Sequence, residues 1–182
     1  MMQWYNEPRE WTVEGDRVTM VADPVTDFWR KTDCGQIHDN GHFYYQHITG
    51  DFVAQVRFSG QYAALYDQAG LMVRVDEENW LKCGIEFVSG IQHASAVVTR
   101  DYSDWSVVPL PSNPATLWLR VTRRGSTIEV HTSLDGGHYT MIRSAYLKAA
   151  EMVQVGLMCA APEGDGFSVT FEGFAVSGQT GV

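Results

Sequence analysis

The sequence has few cysteines, few basic residues and no long apolar run. Its three cysteines, Cys34, Cys83 and Cys159, show no CxxC spacing, so no disulfide framework is predicted. The 13 Lys and Arg residues are scattered among 22 Asp and Glu, and the formal charge of -9 argues against a nucleic-acid partner. No segment approaches the roughly 18 apolar residues of a membrane span, and the N-terminus lacks a basic region followed by an apolar run. We therefore expect a soluble, cytoplasmic protein without a membrane partner.

Several catalytic and cofactor motifs are also missing. No G-x-S-x-G sequence and no glycine-rich loop before a helix occurs, so acyl transfer and nucleotide binding gain no support and no cofactor is expected. His38, Asp39 and His42 match no standard zinc spacing, and hydrogen bonding within a loop is the favoured interpretation. Asp101 and Asp104 could bind calcium, but such residues more often cap turns and strand ends. We expect no metal site.

The remaining pattern is that of short β-strands. Apolar and polar residues alternate in about ten to twelve segments, with turn signals every roughly 8 to 12 residues. The aromatic content of 12% and the 17 glycines agree with a β-rich protein. This predicts one all-β domain over residues 1–182, built as an antiparallel sandwich or barrel.

The stretch from Asp67 to Phe87 shows the strongest alternation. It alternates twice about a polar break, which predicts a β-hairpin with one apolar face. Opposite residues of an antiparallel pair point to the same side, so Arg74, Lys82 and Glu86 share the other face. Trp80 lies at the end of this polar face.

A second clear hairpin is predicted around Gly125. Its alternation places Trp118 beside His131 and Arg120 beside Glu129 on the face away from the core. Trp118 and Arg120 are therefore expected on a polar sheet face of the same kind as that of the first hairpin.

Together the two hairpins predict a ligand-binding face. Its candidate residues are Arg74, Trp80, Lys82, Glu86, Trp118 and Arg120. Indole rings can stack on a sugar ring, and charged groups can take hydroxyl or carboxylate contacts. In the alternative interpretation, loops cover this face and the charges form the ion pairs Lys82–Glu86 and Arg120–Glu129. Trp29 and Trp105, in predicted loops, either border the same groove or anchor their loops.

Several segments resemble one protein family. They are TDFWRKT, GDFVAQV, YDQAGLMVRVDEENWLKCGIE, SVVPLP, LWLRVTRRGSTIEVHTSLDGG and the closing VGLM and GDGFSVTFEGF. The family is a group of concanavalin A-like β-sandwich proteins, long catalogued as a domain of unknown function and also described as regulation-of-enolase-like. The likeness runs from Trp11 to Val176. It implies a jelly roll of two antiparallel sheets, one of them concave, related to lectins and laminarinase-type hydrolases.

One motif of the hydrolase relatives is absent. Laminarinase-type enzymes carry E-x-D-x-x-E or a close variant on one strand, and this sequence has no such motif. On the predicted polar face only Glu86 and Glu129 are carboxylates, and they belong to different hairpins. A glycosidase needs two carboxyl groups about 5 to 9.5 Å apart.

Three functions are compatible with this pattern. The leading hypothesis is non-catalytic binding of a small carbohydrate, or of a related polyhydroxy or anionic ligand, on the concave sheet face. The second is a glycoside hydrolase or lyase that uses Glu86 as general acid or base. The third is a regulatory module that binds a metabolic enzyme, as the family description suggests.

Overall fold

All regular secondary structure in the described part of the chain is β-strand. The computed structural model describes residues 1–178. In chain order the strands are β1 (Gln3–Tyr5), β2 (Trp11–Glu14), β3 (Arg17–Ala22), β4 (Phe28–Arg30), β5 (Ile37–Asp39), β6 (His42–Thr49), β7 (Phe52–Gly60), β8 (Gln68–Arg74), β9 (Asn79–Val88), β10 (Ile91–Arg100), β11 (Tyr102–Pro109), β12 (Leu117–Arg124), β13 (Thr127–Ser133), β14 (Thr140–Tyr146), β15 (Met152–Ala160) and β16 (Phe167–Gly178). Within residues 1–178, no helix is long and apolar enough to cross a membrane.

Fourteen of these strands form two antiparallel sheets of seven strands each. Sheet I has the order β1-β6-β15-β8-β9-β10-β11, and sheet II has the order β14-β13-β12-β7-β16-β3-β2. Strands β4 and β5 pair only with each other and form a separate hairpin, called here the cover hairpin. The predicted all-β sandwich of two antiparallel sheets is confirmed. The prediction of one domain over residues 1–182 stays a prediction, since residues 179–182 lie outside the described range.

The core lies between the inward faces of the two sheets. In β7 every second side chain points inward, and Phe52, Ala54, Val56 and Phe58 are at most 3% exposed. They meet the apolar set of the facing sheet, which includes Leu71. Because side chains alternate with period two, each central strand of the two sheets supplies one apolar row to this core.

Two cysteines belong to the same core. Cys83 and Cys159 are free and buried, and burial raises the pKa of both thiols above the usual value. They pack as small apolar residues.

The central hairpin has the predicted outer face. Strands β8 and β9 pair Gln68 with Glu86 and Arg74 with Trp80, which places these side chains and Lys82 on the outer face of sheet I. The pair Gly70–Gly84 lies between them, where a Cβ atom on Gly84 would come 2.1 Å from the Ala69 carbonyl oxygen. Only glycine fits at this position.

The second hairpin differs from its predicted register by two residues. Strand β12 pairs Trp118 with Ser133 and Arg120 with His131, so the predicted neighbours Trp118–His131 and Arg120–Glu129 are wrong. A slip of two residues keeps every side chain on its own face, and for this reason the alternation could not distinguish the two registers.

Candidate functional site

The outer face of sheet I is largely covered. The cover hairpin lies over it, and a second hydrophobic cluster fills the space between them. The buried members of this cluster are Phe28, Phe43, Tyr45, Met72, Trp80, Val97 and Met158. The sequence interpretation in which loops cover this face is therefore correct for its central part.

Trp80 belongs to this buried layer. Its side chain is 1% exposed, and its ring meets Phe28 edge to face with the ring centroids 6.3 Å apart. The indole nitrogen donates to the Glu77 carbonyl oxygen at 3.3 Å. Both faces of the ring are packed against protein, so the predicted stacking of a sugar on Trp80 is corrected to a packing role.

Arg74 is also buried and holds the cover hairpin. Its guanidinium donates to both carboxylate oxygens of Asp39, at 2.6 and 2.8 Å, and lies 4.6 Å from the centroid of the Tyr5 ring. Burial alone disfavours the charged form, but hydrogen bonding to Asp39 raises the pKa of Arg74. Because the guanidinium is 5% exposed and taken by Asp39, the structure corrects its predicted ligand contact to an internal ion pair.

Lys82 occupies the base of a groove beside this layer. Its ammonium donates to Asp27 Oδ1 at 3.1 Å, to the Phe28 carbonyl oxygen at 2.6 Å and to Gln68 Oε1 at 2.5 Å. The ammonium group has three N–H donors, and these three acceptors take all of them. The ion pair Lys82–Glu86 of the alternative interpretation does not form, since Lys82 pairs with Asp27 instead.

A second set of contacts holds the other side of the cover hairpin. Asp101 accepts from Arg30 at 2.9 Å and from Lys31 at 2.6 and 2.7 Å, and the Arg30 backbone N–H donates to Ser103 Oγ at 2.9 Å. Hydrogen bonds from Lys31 and Arg30 lower the pKa of the Asp101 carboxyl below its usual value. The hairpin is thereby tied to the turn between β10 and β11.

An open groove of about 1080 Å³ remains between the cover hairpin, β11 and the turn that follows β15. Trp29, Tyr66 and Trp105 are the aromatic residues of its lining, and Lys82 and Glu86 lie at its base. The volume is at the upper end of the range for small-molecule sites. Four of the eight predicted binding residues, namely Trp29, Lys82, Glu86 and Trp105, come together here.

Glu86 is the buried carboxylate of this groove. It is 7% exposed, and its Oε2 atom accepts from Ser95 Oγ and from Trp105 Nε1, each at 2.8 Å. Trp105 is 39% exposed and meets Tyr66 edge to face at 6.2 Å between ring centroids. The two hydrogen bonds fix the orientation of the carboxylate and of the indole together.

Trp29 and Trp105 lie on strands rather than in loops. Trp29 is in β4 and Trp105 is in β11, the edge strand of sheet I. The Trp29 indole nitrogen donates to the Thr32 carbonyl oxygen at 2.8 Å, so this residue both anchors its hairpin and lines the groove. The sequence predicts loops here because these segments are rich in polar and turn-forming residues, but such residues also suit an exposed edge strand.

Trp118 and Arg120 are not part of this site. They lie on β12 in sheet II, on the opposite side of the sandwich. The Arg57 guanidinium lies 5.4 Å from the centroid of the Trp118 ring, and Arg120 lies 3.8 Å from that of Tyr139 and donates to Gln55 Oε1 at 3.0 Å. The predicted single face is thus corrected, because each hairpin joined a different sheet.

Sequence reasoning missed other residues of the groove. Tyr66, Asp33 and Glu163 line it from segments between strands. Tyr66 has a positive φ of 66° and lies before β8. No alternation marks these segments, so no local sequence signal indicated that they meet.

The residues considered as metal ligands make other contacts. The Asp23 backbone N–H donates to His42 Nε2 at 2.9 Å, while Asp39 and Asp101 pair with arginine. In the described residues, no group of three or more His, Cys, Asp and Glu could hold a metal ion.

Comparison with known proteins identifies the family. Residues 4–179 match the family described as "Protein of unknown function (DUF1349)". The chain belongs to this family. It is 39% identical to Regulation of enolase protein 1 of Saccharomyces cerevisiae over 178 residues. This alignment covers 98% of this chain and 90% of the relative. The resemblance seen in the sequence is confirmed.

Several solved structures share the fold. A functionally unknown Saccharomyces cerevisiae protein superposes with a TM-score of 0.95 at 38% identity, over 99% of this chain and 97% of that one. A GH43 protein of Bacillus licheniformis gives 0.74 at 14% identity, over 98% of this chain and 37% of that one. The carbohydrate-binding module CBM66 of Bacillus subtilis gives a TM-score of 0.60 at 12% identity, over 95% of this chain and 94% of the module. At such low identities the latter two show the fold alone.

Proposed function

We propose that the groove on sheet I binds a small carbohydrate or a similar polyhydroxy ligand without catalysing a reaction. The observation that carries this proposal is the pairing of Trp105 with the buried carboxylate of Glu86 in a groove of about 1080 Å³. An exposed aromatic face beside a fixed hydrogen-bond acceptor suits a sugar ring, which has apolar C–H faces and a rim of hydroxyl groups.

The chemistry of the groove supports this assignment. Both donors to Glu86 reach Oε2, so Oε1 can accept from a ligand hydroxyl. Trp29 and Tyr66 supply further aromatic surface in the same lining. A module of this fold from Bacillus subtilis is named a carbohydrate-binding module, which makes carbohydrates the first ligand class to test.

The proposal is tested with purified protein and a panel of neutral mono- and oligosaccharides. A ligand present at a hundred times its Kd stabilises the fold by about 2.7 kcal/mol, which thermal shift detects. Calorimetric titration of each hit into Trp29→Ala and Trp105→Ala should show at least about tenfold weaker binding. Trp118→Ala is the matched control, because this tryptophan lies on sheet II, and it should bind as the unmodified protein does.

A blank panel would contradict the proposal. Equal loss of affinity in Trp118→Ala would also contradict it, because that result would place the ligand elsewhere or reflect general unfolding. Circular dichroism of all three variants separates these two causes.

A hydrolytic role for Glu86 is less well supported by the contacts. Of the other carboxylates that line the groove, Asp27 is paired with Lys82 and Asp104 with Arg143 at 3.3 Å, while Asp33 and Glu163 lie on exposed turns away from Glu86 at the base. A glycosidase needs a second carboxyl group that acts on substrate or water. Product formation from any ligand found in the screen, absent in Glu86→Gln, would replace the binding function by an enzymatic one.

The name of the yeast relative favours a second candidate function, the regulation of enolase. The similarity extends over 98% of this chain, so a shared role is a reasonable hypothesis for the whole molecule. Purified enolase should then co-elute with this protein or change its activity when the protein is added. Unchanged activity together with separate elution would remove this candidate.

A further inference from the structure

Glu86 is a buried carboxylate that forms no ion pair with any residue of the described range 1–178. The hydroxyl of Ser95 and the indole of Trp105, both neutral, donate hydrogen bonds to it. Lys82, which lies on the same face of β9, directs its ammonium to Asp27 and not to Glu86. A buried charge without a counter-ion is costly, and a ligand that supplies the opposite charge at this point gains the energy of a desolvated ion pair.

The rest of the groove adds negative charge. Asp33 and Glu163 line it from exposed turns, and neither takes part in an ion pair within residues 1–178. The positive charge of Lys82 is matched by Asp27, and that of Arg143 by Asp104. A cleft lined by one sign of charge concentrates ligands of the opposite sign. The charge of this groove therefore argues against the anionic ligand considered from the sequence.

The aromatic side chains fit a cationic ligand equally well. Trp29, Tyr66 and Trp105 line the groove together with Glu86. Aromatic faces attract ammonium groups and also stack on sugar rings. The groove thus combines features for a positive charge with features for a polyhydroxy ring.

We infer that the ligand of this groove is an amino sugar with a free, protonated amine that pairs with Glu86. This inference rests on the proposed carbohydrate function and specifies its ligand class. The amine donates to the carboxylate of Glu86, the ring stacks against Trp105, and the exposed carboxylates of Asp33 and Glu163 attract the ligand from solution.

The test compares two disaccharides of nearly the same shape. Chitobiose, the disaccharide of glucosamine, carries ammonium groups where cellobiose carries hydroxyl groups. Calorimetric titration is performed at mildly acidic pH, where the amines of the disaccharide are protonated. We expect chitobiose to bind about ten- to hundredfold more tightly than cellobiose, because a hydrogen bond between charged groups is stronger than one between a charge and a hydroxyl. The difference should shrink as salt is added.

The variant Glu86→Gln tests whether Glu86 causes the preference for chitobiose over cellobiose. Glutamine keeps an oxygen that accepts from Ser95 and Trp105 but removes the charge. The affinity ratio of chitobiose to cellobiose should fall to about one. Glu129→Gln is the matched control, since Glu129 lies on β13 of sheet II, and it should keep the ratio of the unmodified protein.

The outcomes distinguish the two proposals. Equal affinity of the unmodified protein for the two disaccharides would overturn the amino-sugar inference and leave the carbohydrate function standing. A preference for chitobiose that persists in Glu86→Gln would also overturn the inference. Failure of both disaccharides, and of the neutral panel, to bind would overturn both.

Discussion

The indole N–H of Trp105 donates a hydrogen bond of 2.8 Å to Oε2 of Glu86, across the strand that separates them. Trp105 is on β11 and Glu86 on β9, and Ser95 of the intervening β10 donates to the same oxygen at 2.8 Å. The aromatic wall and the charged base of the groove are therefore one connected unit. Changes at either residue should alter the other.

Substitution Trp105→Phe should weaken ligand binding without unfolding the protein. Phenylalanine keeps an aromatic face but loses the donor to Glu86, so the ring and the carboxylate are less well oriented. We expect affinity to fall by about tenfold, the value of roughly one hydrogen bond, in calorimetric titration. Trp118→Phe on sheet II serves as control and should have no effect. Unchanged affinity in Trp105→Phe would show that the hydrogen bond does not orient the site.

Substitution Lys82→Met should destabilise the fold strongly. The ammonium is buried and satisfies Asp27, Gln68 and the Phe28 carbonyl oxygen, which all lose a donor. Removing one partner of a buried ion pair costs about 3 kcal/mol or more of unfolding free energy, which urea denaturation measures. Lys148→Met breaks an exposed ion pair with Asp76 and should change stability little. Equal small effects in both variants would contradict the anchoring role of Lys82.

Substitution Trp80→Ala tests the assignment of this residue to the packed layer. The side chain is 1% exposed, whereas that of Trp105 is 39% exposed. Trp80→Ala should lower the free energy of unfolding by about 3–5 kcal/mol, and Trp105→Ala by clearly less. Denaturant unfolding of the two variants gives the comparison. A stable Trp80→Ala protein that has lost ligand binding would restore the direct ligand contact predicted from the sequence.

Acid should loosen the cover hairpin through Asp101. Hydrogen bonds from Lys31 and Arg30 lower the pKa of this carboxyl in the folded protein. A lowered folded pKa means that the contribution to stability is present above the unfolded pKa and is lost as pH falls through the folded pKa. NMR signals of β4 and β5 should therefore shift together at a pH below the usual range for aspartate.

Two variants test whether Asp101 causes this acid transition. In Asp101→Asn, the NMR signals of the cover hairpin should no longer shift at that low pH. Asp135→Asn is the control, because hydrogen bonds from the His138 backbone and side chain lower the pKa of Asp135 in a separate turn. It should leave the hairpin titration unchanged. A hairpin transition that survives in Asp101→Asn would show that another group governs it.

The local parts of this structure could be predicted from the sequence. The alternation in residues 67–87 correctly placed Arg74, Lys82 and Glu86 on one face of one hairpin. The alternation in β7 likewise predicts Phe52, Ala54, Val56 and Phe58 as inward residues, and all four are buried. Both predictions depend on the period of two along a strand, which is a property of neighbouring residues.

The register of the β12–β13 hairpin marks the limit of that reasoning. The predicted pairing of Arg120 with Glu129 and the observed pairing with His131 differ by two residues and bury the same side chains. Only the turn at Gly125 and Ser126 and the contacts with β7 select between them.

The sequence by itself determined that this chain forms a β-sandwich and which residues share a face within each hairpin. The tertiary structure decided which sheet each hairpin joined, and it therefore separated Trp118 and Arg120 from Glu86. It also decided that the cover hairpin buries Trp80 and Arg74 and leaves a groove beside Trp105. The physical reason is distance along the chain. Alternation acts between neighbouring residues, whereas the contacts Lys82–Asp27 and Arg30–Asp101 join residues 55 and 71 positions apart, and no local pattern encodes them.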